Sequence, residues 1–204
     1  MAVIKGGASS NQVAVGTNLA ARVEVFDADG LPVNGKKTYM ASASFTPPAT
    51  PQDLAFIIGS ATKTVKVQSF RIGTANTAAG SQIFFLKKTT TAATGGTAVN
   101  PTAVACDSSD AAATAVVTHI TTSANTPGTG TVVRTIKVGT PAVTPATWAG
   151  INTTDNDVEM LPTVNGQTKA ITLRGILEGL AINFAGTALV AGQIHTYNVV
   201  WTEE

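Results

Sequence analysis

Along most of this chain apolar and polar positions alternate in short runs, and no stretch sustains the spacing of an amphipathic helix between capping residues. Runs rich in Val, Ile, Thr and Phe are separated by Gly, Pro, Asn and Asp, which is the pattern of strands joined by turns. Leu54 to Ile58 is a short apolar run. From Lys63 to Ile72, Val65 and Val67 share one parity while Phe70 and Ile72 share the other. That change predicts a bulge near Gln68 and Ser69. Further strands are expected at Gln82–Lys88, Ala113–Thr121, Thr131–Val138, Asp157–Pro162, Lys169–Arg174 and Glu178–Phe184. The last, Ile194–Thr202, places His195, Tyr197, Val199 and Trp201 on one face. Eight or nine strands at this spacing predict an all-β fold, an antiparallel β-sandwich of jelly-roll type.

The first fifty residues read differently. They hold one good alternating run, Ala21 to Phe26, followed by the turn DADG. Pro47, Pro48 and Pro51 then mark a boundary, because each fixes φ and removes a backbone donor. Residues 1–50 are therefore expected to form an extended N-terminal arm or small anchoring subdomain, and residues 51–204 the sandwich. Between Phe84 and Val117 lies a long stretch of Thr, Ala, Gly and Asp. Loops of that length inside a compact domain are usually functional or disordered. Ala and Thr lose little side-chain entropy on burial, which suits a surface that packs against a neighbour.

Composition sharpens this picture. Only 12% of the 204 residues are charged and only 5% are aromatic, with 13 Lys+Arg against 12 Asp+Glu. A net charge of +1 gives no broad footprint for nucleic acid or an anionic membrane. A surface so poor in charge suits a protein that covers much of itself with partners. No run approaches the eighteen apolar residues of a membrane helix. MAVIKGGASSNQ lacks an apolar core of signal-peptide length, so synthesis in a cytoplasm without such export is expected.

Candidate chemistry is sparse. Cys106 is the only cysteine, and CDSSD shows no helix N-terminus or strained elbow to activate it with His119 or His195. DSSD (Asp107, Asp110) and NTTDNDVE (Asn152 to Glu159) offer oxygen ligands but do not match a calcium loop. Asp and Asn also favour turns by bonding their own backbone. GGTAVNP and PGTGT lack the following helix that a phosphate cradle needs. Lys36, Lys37, Lys87 and Lys88 form small basic patches without interleaved aromatics. No catalytic residue, cofactor or metal site is expected. Trp148, in the Pro-rich TPATWAG, is either a partner anchor or a plug over one end of the core.

Three stretches carry a resemblance. IKGGASSNQVAV with NLAARVEV, then FLKKTTTAATGGTAVNPTAVACDSSDAAATAVV, then GLAINFAGTALVAGQIHTYNVVWTEE resemble segments of structural proteins of the tailed-bacteriophage virion. Where that family often carries an acidic residue this chain has Val15 and Gly16. Cys106 stands where a His is frequent, which argues against a metal site on that loop.

The resemblance implies a non-enzymatic virion protein, and first a capsid decoration or cement protein that binds the major capsid protein and stabilises the shell. It further implies a homo-oligomer, with a trimer as the first expectation, located on the capsid surface. The alternative is a tail-fibre, head-fibre or baseplate module that binds host carbohydrate. Partner contacts are expected at Ile4, Lys5, Gly6, Gly7, Val23, Val25, Thr94, Gly95, Gly96 and Trp148. Val23 and Val25 belong to the run that would add a strand to a neighbour's sheet edge.

Overall fold

The computed structural model describes residues 4–5, 12–15, 21–22, 36–48, 53–75, 80–140, 157–164, 167–184 and 193–204. Among them there is no helix. The chain divides into two compact units, Met1–Lys37 and Thr38–Glu204.

In the first unit three short strands pair in order: β1 (Ile4–Lys5), β2 (Gln12–Val15) and β3 (Ala21–Arg22). Both pairings are antiparallel, with Ile4 opposite Val13 and Val15 opposite Ala21.

The second unit begins at Thr38, not at residue 51, because β4 (Thr38–Phe45) is one of its central strands. Tyr39, Ala41 and Phe45 are buried while Met40, Ser42 and Ser44 are exposed. This is an alternation of period two written mostly in small residues. Pro47 and Pro48 follow β4 within this unit, on the connection toward β5 (Asp53–Ile58).

The remaining strands are β6 (Thr64–Ala75), β7 (Gly80–Thr89), β8 (Ala98–Val99), β9 (Val104–Ala105), β10 (Val116–Ile120) and β11 (Gly130–Thr140). Then come β12 (Val158–Glu159), β13 (Thr163–Val164), β14 (Gln167–Thr168), β15 (Ile171–Arg174), β16 (Gly179–Phe184) and β17 (Ile194–Glu203). They form two antiparallel sheets packed face to face, a β-sandwich. The first sheet runs β11-β7-β16-β5-β10-β8. The second runs β12-β6-β17-β4-β9, with β15 also paired to β6, while β13 and β14 form a separate two-stranded sheet. The connections β4–β5, β5–β6 and β6–β7 each cross between the sheets, and β16 and β17 are central in one sheet each.

Side-chain alternation explains the core. On β17, His195, Tyr197, Val199 and Trp201 all turn inward and are almost wholly buried. On β6 the inward set changes parity, from Val65 and Val67 to Phe70 and Ile72. The ladder shows why: Val200 faces Ser69 and Trp201 faces Val67, so Gln68 is the extra, bulged residue. Tyr39 stacks on Trp201 at 5.8 Å between ring centroids. Each such fully buried large side chain contributes about 1.5–3 kcal/mol. A smaller cluster of Phe56, Ile120 and Ala181 lies on the opposite face of the first sheet, since the alternate residues Ala55 and Ile57 belong to the main core.

Candidate functional site

Residues 90–129, between β7 and β11, hold most of the long small-residue stretch, whose first residues, from Phe84, belong to β7, and they are built into the sandwich. β10 pairs with β5 and extends the first sheet, and β8 pairs with β10 beyond it. β9 pairs with β4 at the edge of the second sheet, placing Val104 opposite Met40. One insertion thus covers an edge of each sheet.

Its fastenings are specific. The Tyr39 hydroxyl donates to the Ala111 carbonyl at 2.9 Å, and Cys106 N–H donates to the Thr38 carbonyl at 2.8 Å. Thr94 and Thr126 exchange backbone hydrogen bonds of 3.0 and 2.8 Å. The Thr118 hydroxyl donates to Asn100 Oδ1 at 2.8 Å.

A dense anchor is Glu203, on β17. Its carboxylate accepts from the Thr114 N–H, the Thr114 hydroxyl, the Ala115 N–H and the Trp201 indole N–H. Burial alone would raise this carboxyl; the bonds from Thr114, Ala115 and Trp201 outweigh it and hold the group below its ordinary value.

Of the expected partner residues, Thr94, Gly95 and Gly96 lie together on this insertion and are exposed. Gly95 and Gly96 have φ of +72° and +78°, so the turn is written in glycine for conformational reasons. A Cβ on Gly96 would also meet the Ser123 carbonyl at 2.9 Å, whereas one on Gly95 meets nothing. Ile4 and Lys5 form β1. Gly6, Gly7, Val23, Val25 and Trp148 lie outside the described residues.

Exposed apolar side chains were not anticipated. The insertion presents Val99, Val104 and Val116, with Met40 on the strand beside Val104. Ile176 and Leu177, in the turn between β15 and β16, are 58% and 64% exposed. Their signal in the sequence was only the apolar pair in RGILEGL, indistinguishable there from core.

The chemically reactive types are dispersed. Cys106 is exposed, whereas both histidines lie between the sheets with other partners. His119 Nδ1 sits 3.2 Å from the Tyr197 hydroxyl. His195 Nδ1 sits 3.0 Å from the Thr74 hydroxyl, with Phe45, Phe84 and Phe184 around the ring. Burial lowers the basicity of both, and pushes His195 down to about 3.

Asp107 accepts from the Ser109 N–H and hydroxyl, a turn that closes on its own backbone and lowers the carboxyl. Glu159 binds Ser69, Phe70 N–H and Leu161 N–H, and Asp157 pairs with Arg71 at 3.2 Å. Among the described residues no group of three or more His, Cys, Asp or Glu comes together to hold a metal ion.

Lys87 and Lys88, adjacent on β7, have different partners. Lys88 pairs with Glu178 at the surface at 3.3 Å. Lys87 turns into a buried polar centre and pairs with Asp53 at 2.9 Å, their side chains 11% and 1% exposed. Asp53 is the hub. Its Oδ1 also accepts from Asn183 Nδ2 at 2.6 Å, and its Oδ2 from the Gly128 N–H at 2.9 Å. Asn125 brackets its backbone, accepting from the Asp53 N–H and donating to the Asp53 carbonyl. Lys87 was expected only as part of a small basic patch, and nothing local in the sequence links positions 53, 87, 125 and 183.

No protein-family model, curated protein or solved structure matches this chain.

Proposed function

We propose that this chain is a non-enzymatic structural protein of the tailed-bacteriophage virion, and that it decorates the outer capsid shell as a homo-oligomer, a trimer in the first instance. The observation that carries the reading is the β7–β11 insertion. It is fastened along its length to both sheets, yet it holds Val99, Val104 and Val116 out to solvent beside Met40. Exposed apolar side chains on a fixed frame suit a docking surface whose ordering cost has already been met within the subunit. The resemblance of three stretches to virion proteins supplies the context, and many repeated weak contacts supply avidity on a shell.

The strand order supports a jelly-roll reading of the sandwich. Set aside β8, β9, β10 and the β13–β14 pair, and treat β12 with β15 as one position beside β6. The sheets then read β12/15-β6-β17-β4 and β11-β7-β16-β5. That is the arrangement of an eight-stranded jelly roll, a fold used by capsid and lectin domains alike. The fold therefore does not choose between shell and host recognition.

Particles assembled without the protein test the role. Heads lacking it are expected to lose their genome at lower temperature than complete heads. Equal heat resistance overturns the cement role, and a requirement for adsorption to host carbohydrate instead supports the fibre alternative.

A further inference from the structure

The polar centre around Asp53 brings an amine and a carboxamide onto one carboxylate oxygen. β5, β16 and β7 are adjacent in the first sheet. Asn183 on β16 faces Asp53 on β5 and Phe85 on β7, and Lys87 on β7 faces Ala181. Lys87 and Asn183 are therefore diagonal neighbours, within reach of one another for a long side chain. One carboxylate oxygen, Asp53 Oδ1, is hydrogen-bonded to both Lys87 Nζ and Asn183 Nδ2, at 2.9 and 2.6 Å. The other is held by the Gly128 N–H, which fixes the carboxyl plane. Phe56 and Ala181, in register with Lys87, form the apolar cluster beside it. Burying an ammonium and a carboxylate together is costly, and a proton passing between them removes both charges.

We propose that Lys87 and Asn183 form an intramolecular isopeptide bond, with Asp53 as the catalytic acid–base, covalently joining β7 to β16. The amine is made nucleophilic when one ammonium proton moves from Nζ to Asp53 Oδ1. Nζ then attacks Asn183 Cγ, forming the new C–N bond. Asp53 returns the proton to Nδ2, the nitrogen it already touches, as the Cγ–Nδ2 bond breaks. Ammonia leaves with the surplus proton as ammonium, the product is a secondary amide, and Asp53 is again a carboxylate. No oxidant, metal or second substrate is required. The sheet supplies proximity, which replaces a bimolecular encounter. Asn183 is the acceptor because the shuttle oxygen lies on its leaving nitrogen. A bond from Lys87 to Asp53 itself would consume the carboxyl that touches both nitrogens.

Mass spectrometry of the intact, denatured full chain decides the matter, since ion pairs vanish on denaturation and amides do not. The expected mass is lower than the sequence mass by one ammonia. Tryptic digestion is expected to give a branched peptide joining residues 87 and 183, with no cleavage after Lys87. Lys87→Arg keeps a cation for Asp53 but cannot form the bond, and is expected at full sequence mass. A wild-type chain at full sequence mass overturns the proposal and leaves an ion pair only. Loss of one water, with residues 87 and 53 linked, also overturns it. So does an ammonia loss that maps to any other asparagine.

Discussion

Acidification should destabilise this fold through His195, and the size of the effect follows from its surroundings. The imidazole is wholly buried among Phe45, Phe84 and Phe184, and its Nδ1 lies against the Thr74 hydroxyl. No carboxylate is among these neighbours to stabilise a cation. Its folded value of about 3 lies below the ordinary 6.5, so between those limits the unfolded chain binds a proton that the folded chain does not. Stability is therefore full above about pH 6.5 and falls as the pH drops toward 3, by about 1.4 kcal/mol per pH unit for one group. At about pH 4.5 the loss from His195 is about 3 kcal/mol, a large share of the 5–15 kcal/mol typical of a domain. His119, lowered in the same direction by burial, steepens the slope. Urea denaturation of the wild type and of His195→Gln across about pH 4.5 to 7.5 reads this directly, with the variant's profile flatter by about one proton. A wild-type stability independent of pH over that range, or equal slopes in the two proteins, refutes the reasoning.

Other outcomes follow from particular contacts. Glu203→Gln loses charge-assisted bonds to Thr114, Ala115 and Trp201 and turns a donor toward donors; about 2–4 kcal/mol of stability should go, lowering Tm by roughly 5–12 °C by calorimetry. The same carboxyl is held below its ordinary value, so its contribution is present above the unfolded value and fades as pH falls through the folded one. Gly96→Ala combines a left-handed φ with a close approach to the Ser123 carbonyl and should cost about 1–3 kcal/mol, while Gly95→Ala, which meets nothing, should cost less. Equal losses in chemical denaturation would contradict that distinction. Val104→Ser and Met40→Ser, at exposed paired positions, should change stability by no more than about 0.5 kcal/mol yet weaken binding to capsids that lack this chain in co-sedimentation.

Much of the sandwich was legible in the sequence, and particular elements show why. β17 announced itself through four large inward residues at period two, and the bulge on β6 through a change of parity between Val67 and Phe70. β4 was missed although Tyr39, Ala41 and Phe45 alternate equally well with Met40, Ser42 and Ser44. Ala and Ser carry little intrinsic strand preference, so only burial against Trp201 and β17 reveals them. β8 and β9 have two residues each and exist only because β10 and β4 offer edges to pair with. The centre at Asp53, Lys87 and Asn183 unites residues from three strands far apart in the chain, and no local pattern encodes such a meeting.

The proposed place in the particle is open to electron cryomicroscopy of intact virions. Density for this sandwich is expected on the outer face of the capsid, repeated over the shell, with the insertion carrying Val99 and Val104 against the major capsid protein. Density for the chain confined to the tail or its fibres would contradict it.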